Sequence, residues 1–124
     1  MRFLLMIYVD DALMAALPAG EYDEMMRGCL RHADELRAAG VLIDSQQLEL
    51  TPSAKTLRVR DNQSRILDGP FAETKEYLGG FNLIEARDHD EAVRIAKEFP
   101  WARVGSVEVR PVRDMAVVRQ QVGA

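Results

Sequence analysis

The sequence predicts an α+β domain with the element order βαββαβ and an inserted hairpin, in which two helices lie on one face of a sheet. The first strand, Arg2 to Val9, is apolar on both faces, which indicates a central strand with a layer on each side. Two segments with helical periodicity separate the strands. Because right-handed crossovers place both helices on the same side of the sheet, the other apolar face needs a different cover.

The first helix is predicted from Glu21 to Ala39, after a loop at 10–19 with one helical turn. Its apolar residues recur in steps of three and four and so share one stripe, made of Tyr22, Met25, Met26, Cys29, Leu30, Ala33 and Leu36. Gly40 ends this helix, since glycine readily adopts the left-handed conformation at that position.

A strand and then a hairpin are predicted in the middle of the chain. The strand covers Val41 to Leu50. The hairpin pairs Lys55–Arg60 with Arg65–Leu67 across the turn-forming residues 61–64, and its alternation predicts that Leu57 and Val59 point inward.

In the last third of the chain, the sequence pattern predicts a strand at 79–86, a helix from Asp88 to about Phe99 and a strand at 106–112. Asp88 followed by Glu91 resembles a capping box, and Pro100 ends the helix. Asp114 is expected to cap a short terminal helix. This order indicates a ferredoxin-like domain at 1–112 with a C-terminal tail at 113–124. We expect a second copy to close the open sheet face, with any pocket between sheet and partner.

Length and composition indicate one domain with its own core. The chain has 124 residues, 48% of them hydrophobic, with a formal net charge of −4. That balance argues against nucleic acid as a partner, because phosphate binding requires excess positive charge. The longest apolar run, Phe3 to Val9, is too short for a membrane span of about 20 residues and lacks a cleavage site. The single Cys29 allows no internal disulfide, so a cytoplasmic location is expected.

No motif for phosphate, dinucleotide or metal binding is present, so we expect neither a cofactor nor a metal. His32, at the edge of the helical stripe, has two interpretations: a general base at a pocket rim, or a boundary residue, which we favour. His89 fits a neutral surface imidazole, since a positive charge there opposes the helix dipole. Cys29, in the middle of the stripe, fits core packing better than reactivity.

The segment after the hairpin is the main candidate for a ligand site. Asp68 either bonds the backbone of its own Gly-Pro loop or, with Glu73 and Lys75, orients a polar ligand at the pocket mouth. Both interpretations stay open. Tyr8, on the first strand, and His32 complete the candidates; Asp68 and His32 are the weak candidates for a catalytic role.

The run DGPFAETKEYLGGFNLIEARDHDEA, Asp68 to Ala92, resembles the signature of the DGPF-type, YCII-related domain family. The segments 1–8, 35–42 and 105–111 also resemble it. The resemblance implies a dimeric α/β barrel, but no reaction, because many members are uncharacterised bacterial proteins. Some relatives are encoded beside, or fused to, sigma factors. Others have a His–Asp pair proposed as an active site, whose histidine falls nearest Cys29 here, so the pair is not carried over.

The leading hypothesis is therefore a homodimer that binds a small organic ligand in its barrel. The first alternative is a cofactor-free dimeric-barrel enzyme, with Asp68 or His32 as base and Lys75 as electrostatic stabiliser. The second is a regulatory module that contacts a transcription factor.

Overall fold

The computed structural model describes residues 1–124 and contains six strands and four α-helices. In chain order these are β1 (Arg2–Asp10), α1 (Asp11–Ala15), α2 (Glu21–Ala38), β2 (Leu42–Gln47), β3 (Lys55–Arg60), β4 (Gln63–Asp68), β5 (Glu76–Glu85), α3 (His89–Lys97), β6 (Gly105–Pro111) and α4 (Met115–Val122). Short 3₁₀ turns cover Thr51–Ser53 and Pro100–Arg103. None of the helices has the length and apolar character needed to cross a membrane.

Four strands form one antiparallel sheet in the order β2-β5-β1-β6, and β3 and β4 form a separate two-stranded sheet. This order, with the helices between β1 and β2 and between β5 and β6, is compatible with the ferredoxin-like arrangement predicted from the sequence. The four-stranded sheet is open at both edges, and a single chain does not close it into a barrel.

The core lies between the sheet and the helices on one face. Phe3 and Leu5 of β1 and Ile84 of β5 are at most 1% exposed, and they pack in one cluster with Ala92 and Ile95 of α3. Met25 and Ala33 of α2 belong to the same cluster. Both helices therefore cover the same face, as predicted from the crossover rule.

The ends of the helices follow the capping chemistry of the sequence. Asp88 accepts a hydrogen bond from the Glu91 backbone N–H at 2.8 Å, which confirms the predicted cap of α3. Gly40 has a φ of 75°, the left-handed conformation expected after α2. Asp10 caps α1, whose five residues correspond to the helical turn predicted within the loop at 10–19. Asp114 caps α4 as predicted.

The boundaries of three strands differ from the prediction by two residues or more, and one of them, β4, begins at Gln63 rather than Arg65. β2 ends at Gln47 rather than Leu50, and β5 begins at Glu76 rather than Gly79. The extra residues of β5 pair with the end of β1, where Tyr77 lies opposite Val9. Long-range pairing with β1 therefore extends β5 through residues that local sequence did not mark as strand.

The β3–β4 hairpin is present, but its predicted inward face is wrong. Leu57 and Val59 are 65% and 54% exposed, because no helix or second sheet covers the hairpin. Its tight turn is formed by Asp61 and Asn62, both with positive φ, a turn geometry that matches the strand twist. The alternation of apolar and polar residues thus predicted the two strands correctly, but it did not predict that both faces of the hairpin are exposed.

Candidate functional site

A cavity of about 180 Å³ lies between α2 and the helix-covered face of the four-stranded sheet. Tyr22, Met26 and Cys29 of α2 line one side of it, and Trp101 of the second 3₁₀ turn contributes an aromatic wall. The sheet side is formed by residues of β1, β2 and β5. The sequence placed a pocket on the opposite face, between sheet and partner, whereas this cavity is formed within one chain.

Two adjacent glycines explain why the sheet leaves space here. The register of β1 and β5 shifts between Ile7 and Tyr8, so that Gly79 forms a β-bulge beside Gly80. A Cβ atom on Gly80 would lie 2.7 Å from the Gln46 carbonyl oxygen, and one on Gly79 would lie 2.5 Å from Val9 Cγ2. Neither position accommodates a side chain, so the sheet presents bare backbone to the cavity.

The polar end of the cavity is formed by Asn82 of β5 and Ser45 of β2. Asn82 is 4% exposed, and its Oδ1 accepts a hydrogen bond from Ser45 Oγ at 2.5 Å. No protein group accepts a hydrogen bond from Asn82 Nδ2. Since every fully buried side-chain nitrogen or oxygen has a partner, Nδ2 must touch accessible space, and the cavity that Asn82 lines supplies it.

Most of the remaining lining residues are apolar or aromatic, and Gln46 and Gln47 of β2 add neutral polar groups. The rings of Tyr22 and Trp101 lie 6.1 Å apart. Burial raises the pKa of the Cys29 thiol, and a hydrogen bond from Trp101 offsets that shift only in part, so the thiol is neutral near pH 7. No Asp, Glu, Lys, Arg or His side chain lines the cavity.

The structure does not bring the predicted site residues together. Asp68 is exposed on the hairpin, where its Oδ1 lies 2.7 Å from Lys55 Nζ. Glu73 is exposed, and Lys75 Nζ lies 3.7 Å from Asp10 Oδ2 at the end of β1. None of these side chains lines the cavity.

Tyr8 and His32 also lie outside the cavity. Tyr8 belongs to the open face of the sheet, opposite Leu78 and Ser106. His32 Nε2 lies 2.7 Å from Glu98 Oε2, and its ring centroid lies 5.3 Å from that of Phe99. His32 therefore joins α2 to the end of α3.

Sequence reasoning missed Asn82 and Ser45. The sequence signal for Asn82 is that it is the one polar residue in the apolar run Phe81 to Ile84. This run directly follows two glycines. A polar residue that interrupts an apolar strand beside a Gly-Gly pair is a recognisable sign of a polar group aimed into a gap, because glycine within a strand often marks a bulge. Ser45 had no comparable signal, because β2 is polar along most of its length.

The open face of the sheet is a second feature of the chain. Its apolar side chains are half-buried although no helix covers them, and they come from β1 and β5: Leu4, Met6, Tyr8, Phe81 and Leu83. Cross-strand pairs such as Leu4 with Leu83 and Met6 with Phe81 make this patch continuous.

The family profile of the YCII-related domain matches residues 1–116. The chain belongs to the YCII-related domain family. This confirms the resemblance found in the sequence. An uncharacterized protein of Rhizobium meliloti is similar to this YCII-related chain, with 36% identity over 114 residues, which cover 90% of this chain and 92% of the relative.

Proposed function

We propose that this YCII-related protein binds a small organic molecule in the cavity beneath α2. The observation that carries the proposal is the buried Asn82 amide, which lines a largely apolar cavity and whose Nδ2 has no protein partner. Ligand sites commonly combine apolar walls with a few well-placed polar groups. The predicted bases, Asp68 and His32, lie elsewhere, so binding is better supported than acid–base catalysis.

The size of the cavity also supports binding. An engineered protein cavity of about 150 Å³ is known to stay dry and to bind benzene. The cavity beneath α2 has a similar volume, about 180 Å³, and nine of its fifteen lining residues are hydrophobic. A compact organic molecule would therefore gain the burial of apolar surface on entering it.

Filling the cavity tests this proposal. Cys29→Phe places a phenyl ring in the cavity, and Leu57→Phe places the same ring on the exposed hairpin as a matched control. With ethylbenzene as probe and amide chemical shifts as readout, we expect wild type and Leu57→Phe to bind alike and Cys29→Phe to bind at least about tenfold more weakly. Cys29→Leu serves if the larger substitution prevents folding.

Two results would contradict the proposal. One is the absence of any ethylbenzene-dependent shift in the wild-type protein. The other is unchanged binding by folded Cys29→Phe or Cys29→Leu, which would place the probe somewhere other than the cavity.

We also propose that two copies associate through the open face of the sheet, which would form a dimeric α/β barrel. The continuous half-buried patch around Met6 and Phe81 supports this, since large exposed apolar patches are typical of interfaces. Phe81→Lys should convert dimer to monomer in analytical ultracentrifugation, whereas Leu57→Lys, which adds the same charge on the hairpin, should not. A wild-type monomer at all concentrations would rule the dimer out.

A further inference from the structure

We infer that the cavity beneath α2 selects neutral, single-ring-sized ligands that present a carbonyl-type acceptor to Asn82 Nδ2. This inference rests on the proposed function and specifies its ligand class. Three features of the cavity carry it: the orientation of one amide, the absence of charged lining groups and the volume.

The hydrogen bond from Ser45 determines which end of the Asn82 amide meets the ligand. Ser45 Oγ donates to Asn82 Oδ1 at 2.5 Å, so the acceptor end of the amide is engaged within the sheet. The Nδ2 group, with its two N–H donors, is left toward the cavity. No protein group accepts a hydrogen bond from Nδ2, and a ligand oxygen at this position would accept one.

The lining residues argue for a neutral ligand. No lysine, arginine or histidine is available to pair with a carboxylate, and no aspartate or glutamate is available to pair with an amine. Burying a charge without a partner is far more costly than burying a neutral polar group. Ketones, aldehydes, esters and amides therefore fit this cavity better than acids or amines.

The walls limit the rest of the ligand. A volume of about 180 Å³ accommodates one six-membered ring with a small substituent. Tyr22 and Trp101 offer aromatic surface to that ring, and the sulfur of Met26 offers a polarizable contact.

Three probes of matched size separate these features. Acetophenone has a ring and a carbonyl, ethylbenzene has the ring without an acceptor, and benzoate has the ring with a charge. We expect acetophenone to bind about three- to tenfold more tightly than ethylbenzene, as a single net hydrogen bond predicts, and benzoate to bind more weakly than either. Acetophenone should move the Asn82 side-chain NH₂ protons downfield of their positions in the ethylbenzene complex in amide NMR spectra, because only acetophenone accepts a hydrogen bond from them.

Asn82→Leu removes the donor while approximately keeping the side-chain shape. It should abolish the preference for acetophenone and leave ethylbenzene binding within about twofold of wild type. In Asn82→Leu the Ser45 hydroxyl loses its hydrogen-bond acceptor. The double variant Ser45→Ala/Asn82→Leu removes the Asn82 donor without leaving that hydroxyl unpaired. The chemical shifts of the Asn82 NH₂ group in the wild-type protein test the same hydrogen bond without any substitution.

The outcomes distinguish the two proposals. Equal affinity for acetophenone and ethylbenzene, tightest binding of benzoate, or an unchanged preference in Asn82→Leu would overturn the ligand class while the cavity remained a binding site. Failure of ethylbenzene and acetophenone alike to bind wild type would overturn the proposed function itself.

Discussion

The two faces of the four-stranded sheet are made from the same strands but differ in how they are covered. Leu5 of β1 is 1% exposed beneath the helices, whereas its neighbour Leu4, on the opposite face, is half-buried. The helix-covered face is the better packed of the two, yet it contains the cavity, where Gly79 and Gly80 interrupt the packing. Apolar surface is therefore packed beneath helices on one face and left without a cover within the chain on the other.

Leu5→Ala should destabilise the protein more than any substitution on the open face. It removes a fully buried side chain beneath the helices, so we expect the free energy of unfolding to fall by about 3 kcal/mol, with no dependence on protein concentration. Urea unfolding at several concentrations measures this.

Leu4→Ala is the matched control on the open face. It removes the same atoms from a half-buried position, and we expect a cost of about 1 kcal/mol, which the proposed dimer would increase at higher protein concentration. Equal costs at every concentration would show that the two faces are covered to the same extent within one chain.

Asp10 is an exception to the division between the faces. Alternation along β1 assigns it to the open face, but it is 5% exposed because its Oδ1 accepts hydrogen bonds from the Ala12 and Leu13 N–H groups and caps α1. Asp10→Ala should therefore lower the free energy of unfolding by about 1–2 kcal/mol, measured by urea denaturation.

Lys75→Ala distinguishes the two interactions of Asp10, because it removes the ion pair and leaves the helix cap in place. Lys75 is 82% exposed and its Nζ lies 3.7 Å from the carboxylate, so its loss should cost less than about 0.5 kcal/mol. A larger cost for Lys75→Ala than for Asp10→Ala would mean that the ion pair, not the cap, holds Asp10 in place.

Local patterns in the sequence predicted most of the fold and little of the site. Period-two and helical repeats depend on neighbouring residues, so they located β1, α2 and α3 within a residue or two. The cavity depends on the long-range pairing that places Asn82 beside Ser45, 37 positions apart in the chain, and on a bulge at Gly79. Neither is encoded in a local repeat, so the local sequence pattern favoured Asp68 and Lys75 as site residues instead.

The pH dependence of Cys29 tests the environment on the helix-covered face. Burial raises the pKa of its thiol, so at any given pH less thiolate is present than in the unfolded chain. The midpoint of the pH–rate profile for iodoacetamide alkylation should therefore lie higher for the folded protein than for the same protein in urea. A folded midpoint at or below the urea value would show that Cys29 is not in an apolar environment.

We expect the smallest change in the free energy of unfolding for substitutions in the β3–β4 hairpin, because neither of its faces is covered. Leu57 and Ile66 lie opposite each other on the β3–β4 hairpin and are 65% and 69% exposed, so replacing both with serine removes little buried surface. The double variant Leu57→Ser/Ile66→Ser should change the free energy of unfolding by less than about 0.5 kcal/mol in urea denaturation. An isolated two-stranded hairpin has marginal stability in water, so the main sheet should not depend on it. A loss as large as that of Leu5→Ala would mean that these side chains are buried in the assembled protein, and that the contrast between covered and uncovered strands holds only within a single chain.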